Sequence, residues 1–150
     1  MKLSCFTVLA VILLVGADKP RDPQVSREMD QLAGMWKLSR TEYSDGSVEV
    51  GRDLCLVIEP NGTVRFIVAD EDTTRTEVVD YQFDPTPTPK HYLVATEGDG
   101  KKLTKLGIYA LEGDTLKFCS LADSSKRPNQ FTVEKDHGGG DTLWIYKRRK

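Results

Sequence analysis

The amino-acid sequence predicts one all-β domain: a single up-and-down antiparallel β-barrel of about eight or nine short strands, with a short N-terminal helix. Two observations carry this prediction. Apolar and polar residues alternate over short runs through most of the chain, which is the pattern of half-buried strands. Turn-forming glycine, asparagine and proline residues separate these runs at close intervals. Because an open meander leaves two strand edges exposed, closure into a barrel is its simplest arrangement.

The first seventeen residues have the pattern of a secretory signal peptide. Lys2 gives a positive start, residues 3–15 are almost entirely apolar, and small residues lead up to Ala17. We therefore expect cleavage after Ala17 and a secreted or periplasmic protein. The apolar run is shorter than the ~20 residues of a membrane-spanning helix, so we expect no stable membrane insertion after cleavage. A retained N-terminal anchor is the alternative.

Charge and length limit the partners of the mature chain. Removal of residues 1–17 from 150 leaves 133 residues, enough for one domain. It also removes one lysine from 21 basic residues, leaving 20 against 23 acidic residues, a net charge of −3. A nucleic-acid-binding domain needs a strongly basic face. The composition thus predicts no nucleic-acid partner.

The mature chain has two cysteines, Cys55 and Cys119, and the sequence does not decide whether they form a disulfide. An even number of cysteines in an exported chain favours a bridge. However, each alternates with the heavier apolar residues of its strand and should lie on the other face. They reach each other only if their strands are neighbours.

The elements follow in order along the chain. Residues 18–25 form a flexible leader, and the domain occupies residues 26–150. Ser26 is the predicted cap of a helix over 26–33 that ends at Gly34. The proline-rich residues 85–89 form a loop. The predicted strands are 35–43, 54–59, 63–69, 76–83, 91–96, 103–111, 115–120, 130–134 and 142–148.

Several of these residues also form a spaced pattern. It begins with Leu32, Gly34 and Trp36, and becomes dense from residue 107 onward. The pattern resembles a lipocalin-like domain family of uncharacterised secreted proteins that is abundant in planctomycete bacteria. The match runs from about residue 29 to 148. Its later members are Gly107, Tyr109, Leu111, Gly113, Asp114, Leu116, Cys119, Arg127, Pro128, Phe131 and Arg148.

The resemblance implies mainly structural roles for these residues. In lipocalins a Trp at the position of Trp36 closes one end of the barrel and an Arg stacks on it, which implies Arg148. A free terminal arginine is the alternative. Gly113 and Asp114 suit a tight hairpin turn, and Arg127-Pro128 should shape the loop before the strand of Phe131. A ligand contact by Arg127 is the less favoured interpretation.

The sequence gives no pattern for catalysis, a metal or a cofactor. His91 and His137 are the neutral-pH bases, and neither has a partner at a known catalytic or metal-ligand spacing. We therefore expect a protein that is not an enzyme and has no cofactor.

Three functional hypotheses remain, in this order. The first is binding of a small apolar ligand inside the barrel. The second is a filled-barrel interaction or structural module of the cell envelope or extracellular space, which uses loops 85–89 and 122–129. The third is an enzyme with a site assembled from distant strands. A continuous apolar cavity of about 300 Å³ or more would favour the first. The candidate ligand-lining residues are aromatic: Phe66, Tyr81, Phe83, Tyr109, Phe118 and Phe131.

Overall fold

The computed structural model describes residues 22–69, 74–98, 101–133 and 140–150. The predicted signal peptide and most of the predicted leader lie outside the described residues. The described chain contains a helix and nine strands. These are α1 (Pro23–Leu32), β1 (Gly34–Tyr43), β2 (Val48–Val50), β3 (Leu54–Ile58), β4 (Val64–Ala69), β5 (Thr74–Asp84), β6 (Lys90–Gly98), β7 (Lys101–Glu112), β8 (Thr115–Ser120) and β9 (Thr142–Arg148).

Eight of the strands form a closed antiparallel barrel. The sheet runs β2-β1-β3-β4-β5-β6-β7-β8-β9, and β1 also pairs with β9, which closes the ring. The first half of β1 pairs with β3 and its second half pairs with the short β2. On its other edge, the pairing of β1 with β9 shifts register between Leu38 and Arg40. β2 is therefore an extra strand beside the closed ring. The predicted all-β barrel with a short N-terminal helix is confirmed.

Most predicted strands lie within two residues of the observed bounds at each end. The predicted strand 130–134 is wrong, because residues 130–133 form an irregular segment and residue 134 lies outside the described part of the chain. This segment covers an apolar patch on the outer surface of the barrel: Phe131 and Val133 pack against Ile108, Cys119 and Leu143. The ring is already complete without it.

The helix begins three residues earlier than expected. Asp22, in place of Ser26, is its cap, and the Asp22 carboxylate accepts a hydrogen bond of 2.7 Å from the backbone N–H of Gln24. Pro23 occupies the first helical position, where its fixed φ suits the helix and its missing N–H is not needed. The buried carboxylate of Glu28 binds the ammonium of Lys90 at 2.8 Å, which ties α1 to the start of β6.

The middle of the barrel is filled by aromatic rings. Phe118 lies at the centre, with ring centroids of its neighbours 5.1–6.3 Å away. Several of these pairs have the edge-to-face geometry that aromatic rings prefer. The neighbours of Phe118 are Tyr81, Phe83, Tyr92, Tyr109 and Tyr146. This layer divides the interior into the end covered by α1 and an opposite end.

The two cysteines are free thiols. Cys55 lies on β3 and Cys119 on β8, and these strands are not neighbours in the ring, so the geometry excludes a bridge between them. Cys119 does face away from the interior, as its strand pattern predicted. It is nevertheless completely buried in the outer apolar patch, and this burial raises the pKa of its thiol to about 11.

Candidate functional site

The end of the barrel beside α1 is closed by Trp36 and Arg148. The guanidinium carbon of Arg148 lies 4.0 Å from the centre of the fully buried Trp36 ring. The same guanidinium donates hydrogen bonds to the carbonyls of Ala33 (2.8 Å) and Gln31 (2.6 Å), at the end of α1. The indole N–H of Trp36 donates to the carbonyl of Leu32 at 2.8 Å. The expected stacking of Arg148 on Trp36 is confirmed, and the free terminal arginine is wrong.

Gly34 makes this closure sterically feasible. Its φ is +132°, a conformation that side chains rarely adopt, and a β-carbon there would lie 2.9 Å from Nη1 of Arg148. The hairpin between β7 and β8 uses Gly113 for its positive φ of +58° alone, since a β-carbon there would meet no atom within 4 Å. These residues of the sequence pattern therefore shape the backbone.

Arg127 joins the outer segment to the barrel wall. Its Nη1 donates to the carbonyls of Tyr92 (2.7 Å) and Gly107, which are paired residues on β6 and β7. The ring of Tyr92 lies directly against Gly107, where a β-carbon would come within 2.2 Å of it. Pro128, the next residue after Arg127, is buried. These contacts agree with a loop-shaping role for Arg127-Pro128.

A cavity opens at the end of the barrel away from α1. Its volume is about 140 Å³, well below the size of about 300 Å³ that would favour binding of a larger apolar ligand inside the barrel. Three aliphatic side chains, Leu38, Leu54 and Val94, form part of its wall. The larger part is aromatic: Phe66, Tyr81, Tyr92, Phe118, Trp144 and Tyr146. We call this space the mouth cavity.

The structure brings together only half of the predicted lining residues. Phe66, Tyr81 and Phe118 line the mouth cavity. Phe83 and Tyr109 belong to the aromatic layer deeper in the barrel, where their rings are 5.2 Å apart, and they do not line it. Phe131 as a lining residue is wrong, because the segment that carries it lies on the outer surface.

Trp144 and Tyr146 are lining residues that the period-two pattern assigned to the wrong face. Taken from the sequence alone, alternation along the last strand predicts Leu143 and Ile145 on the interior face, but these side chains pack in the outer patch. β9 carries apolar residues on both faces. Its outer face is also buried, because Phe131 and Val133 cover Leu143 and Ile145. Alternation alone therefore cannot tell which face of this strand is interior.

Two cationic side chains also line the mouth cavity, Arg52 and Lys105. Lys105 pairs with Val94 across β6 and β7 and shares its interior face. Its ammonium lies 5.5 Å from the centre of the Trp144 ring. Burial lowers the pKa of Lys105, and the charge of Asp141 partly opposes this shift. Within the described ranges, neither cation has a carboxylate at ion-pair distance.

The tyrosines of the cavity wall are neutral hydrogen-bonding groups. Burial raises the pKa of Tyr81, Tyr92 and Tyr146 well above the ordinary value of a phenol. Each therefore keeps its proton at neutral pH and can donate or accept a hydrogen bond. Combined with apolar walls and a cationic rim, this composition suits binding of a small molecule.

Residues considered for other chemistry lie apart from this cavity. His91 is half-buried on β6, and burial followed by the charge of Arg127 lowers its pKa. His137 lies outside the described residues. Among residues 22–69, 74–98, 101–133 and 140–150, no group of three or more His, Cys, Asp or Glu side chains could hold a metal ion. Across those ranges, no helix has both the length and the apolar character needed to cross a lipid bilayer.

Fold and site together define a closed eight-stranded antiparallel β-barrel, with a helix at one end and a small apolar cavity with a cationic rim at the other. Comparisons of the chain with protein-family models, with curated proteins and with solved structures found no match. The function must therefore be argued from the site itself.

Proposed function

We propose that this protein is an exported lipocalin-like domain that binds a small apolar ligand, of about the size of a single aromatic ring, in the mouth cavity. The observation that carries the proposal is the cavity of about 140 Å³ with mainly aromatic and aliphatic walls. An apolar cavity of about 150 Å³ in another protein is large enough to bind benzene. Larger cargo of the kind held in pockets of about 300 Å³ does not fit this space.

The closed end supports the lipocalin-like part of the proposal. Trp36 is fully buried at the start of β1, and Arg148 stacks on it from the end of β9. This arrangement is the one that the resemblance implies. The signal-peptide pattern of residues 1–17 supports export, because its charge, apolar length and cleavage residues agree with each other.

The second candidate function is a filled-barrel interaction module of the cell envelope or extracellular space. It is favoured by the aromatic layer around Phe118, which fills the middle of the barrel. The exposed side chains of Val48 (57%) and Val50 (68%) on β2 offer apolar contact surface. Ligand binding remains the first candidate function, because the mouth cavity is concave and its apolar lining includes a few polar groups.

Nuclear magnetic resonance on the predicted mature chain, residues 18–150, tests the proposal. Benzene should cause saturable shifts at the indole N–H of Trp144 and at residues beside Phe118, and it should leave the indole N–H of Trp36 unchanged. Leu54→Trp should abolish these shifts, because it fills the cavity. Val48→Trp is the matched control, since Val48 is exposed and is not among the residues that line the cavity.

If benzene and other one-ring compounds leave the spectrum of the folded protein unchanged, the mouth cavity is not a binding site. The interaction module would then be the better account.

A further inference from the structure

We infer that the mouth cavity selects an anionic ligand: a single-ring or short-chain carboxylate whose apolar part enters the cavity and whose carboxylate lies between Arg52 and Lys105. This inference rests on the proposed function and adds the chemical class of the ligand. It is carried by two cations at the rim of one apolar cavity.

Lys105 is placed at the cavity by its strand register. It lies on the interior face of β7, where an ammonium group would not be expected unless it had a role or a partner. Its ammonium nitrogen lies over the Trp144 ring, 5.5 Å from the ring centre. A cation–π contact stabilises an ammonium only modestly, by about 0.5–2 kcal/mol.

The carboxylate of Asp141 acts on Lys105 through its charge, but its hydrogen bond is made with another group. Asp141 influences Lys105 through its charge, but no ion pair joins them within 4.0 Å. Asp141 is buried, and its Oδ1 accepts a 2.8 Å hydrogen bond from the backbone N–H of Ala122. Within the described part of the chain, half-buried Lys105 therefore has no counter-ion at ion-pair distance, and a bound anion would supply one.

Arg52 brings a second cation to the same rim. It follows Gly51, whose φ of +80° turns the chain between β2 and β3. Its positive charge acts on the hydroxyls of both Tyr43 and Tyr146 and opposes the rise in their pKa. The next residue, Asp53, pairs with Lys37 at 3.1 Å rather than with Arg52. Among the described residues, Arg52 has no carboxylate at ion-pair distance.

A carboxylate on a small apolar body suits this arrangement best. Its two oxygens accept hydrogen bonds from a guanidinium fork and an ammonium together, and such charge-assisted bonds are stronger than neutral ones. The volume of about 140 Å³ limits the apolar body to about one ring or a short chain.

The test compares benzoate with its neutral analogue benzamide by isothermal titration calorimetry on the mature chain. Benzoate should bind at least ~10-fold more tightly than benzamide, as expected when a charged hydrogen-bonding partner is satisfied. Lys105→Met and Arg52→Gln should each weaken benzoate binding by about 5- to 30-fold and change benzamide binding by less than about twofold. Lys102→Met is the matched control, since Lys102 is exposed on the same strand and outside the mouth cavity.

The outcomes separate this inference from the function on which it rests. Equal affinity for benzoate and benzamide, with Lys105→Met unchanged, overturns the anion preference and leaves apolar binding intact. Failure of benzoate, benzamide and benzene alike overturns both. Tighter binding of decanoate than of benzoate overturns the size limit. Circular dichroism of the two variants shows that their loss of affinity does not come from unfolding.

Discussion

The guanidinium of Arg148 lies 4.0 Å from the ring of Trp36 and joins the last strand of the barrel to the first. The same group satisfies the carbonyls of Gln31 and Ala33, which have no partner within α1 because they lie at its C-terminal end. One side chain therefore ties α1, β1 and β9 together. The mouth cavity lies at the opposite end of the barrel.

Trp36→Ala should be among the most destabilising single substitutions. It removes a fully buried indole from the closed end, and such changes cost about 3–5 kcal/mol of the free energy of unfolding. Urea unfolding followed by circular dichroism measures the loss. Trp144→Ala is the control and should cost less, because Trp144 is only partly buried at the mouth. A loss below about 1 kcal/mol for Trp36→Ala would contradict the role of Trp36.

Arg148→Met should lower the free energy of unfolding by about 1–3 kcal/mol. The methionine keeps an apolar stem over Trp36 but loses the cation–π contact and two hydrogen bonds. Arg149→Met is the neighbouring control, since Arg149 is exposed and its recorded side-chain contact is a long one to the sulfur of Met35 (3.9 Å). Equal stability of the two variants would show that the stacking of Arg148 contributes nothing.

Gly107→Ala should destabilise the barrel by about 1–3 kcal/mol or more, although the change adds one methyl group. The new β-carbon would lie 2.2 Å from the buried ring of Tyr92, so this ring must shift and lose part of its packing against Phe118. Thermal unfolding of the variant measures the effect. Tyr92→Leu should partly rescue Gly107→Ala in a double-mutant cycle, whereas additive effects would refute the steric explanation.

Alkaline pH should weaken the fold through Cys119. Its pKa is about 11 in the folded protein and near the ordinary 9.0 when unfolded. The neutral thiol therefore stabilises the fold fully below pH 9, and this contribution is lost as the pH rises toward 11. Between pH 8 and 10.5 the free energy of unfolding should fall less in Cys119→Ala than in the unmodified protein. Because the buried tyrosines are common to both proteins, parallel falls would contradict this role of Cys119.

Much of the barrel was predictable because turn chemistry and alternation act locally. Gly113 fixes the hairpin between β7 and β8, and the bounds of β8 were predicted without error. The strand predicted at 130–134 was wrong for a reason that is not local: Phe131 covers an outer patch that exists only once β7, β8 and β9 pair side by side. The helix starts at Pro23, whose fixed φ and missing N–H suit a first helical position, rather than after the predicted Ser26 cap.

The closed end of the barrel was predictable from the resemblance, but most of the mouth cavity was not. The apolar residues on both faces of β9 hid Trp144 and Tyr146. Lys105 and Arg52 are of residue types that usually lie exposed on the surface, so the sequence did not indicate a cavity role for them. One signal could have found Lys105, because it alternates with Gly107, Tyr109 and Leu111 along β7 and so shares their interior face. Arg52 lies in a loop and has no periodic signal.

Crystallography of the mature protein soaked with bromobenzene tests the central claim most directly, since bromine is located by its anomalous scattering. Our account predicts a bromine peak within the mouth cavity, in contact with Phe118 and Trp144, which is lost in Leu54→Trp. A saturating soak that leaves the cavity empty, or that places bromine only on the outer surface, would contradict ligand binding by this barrel.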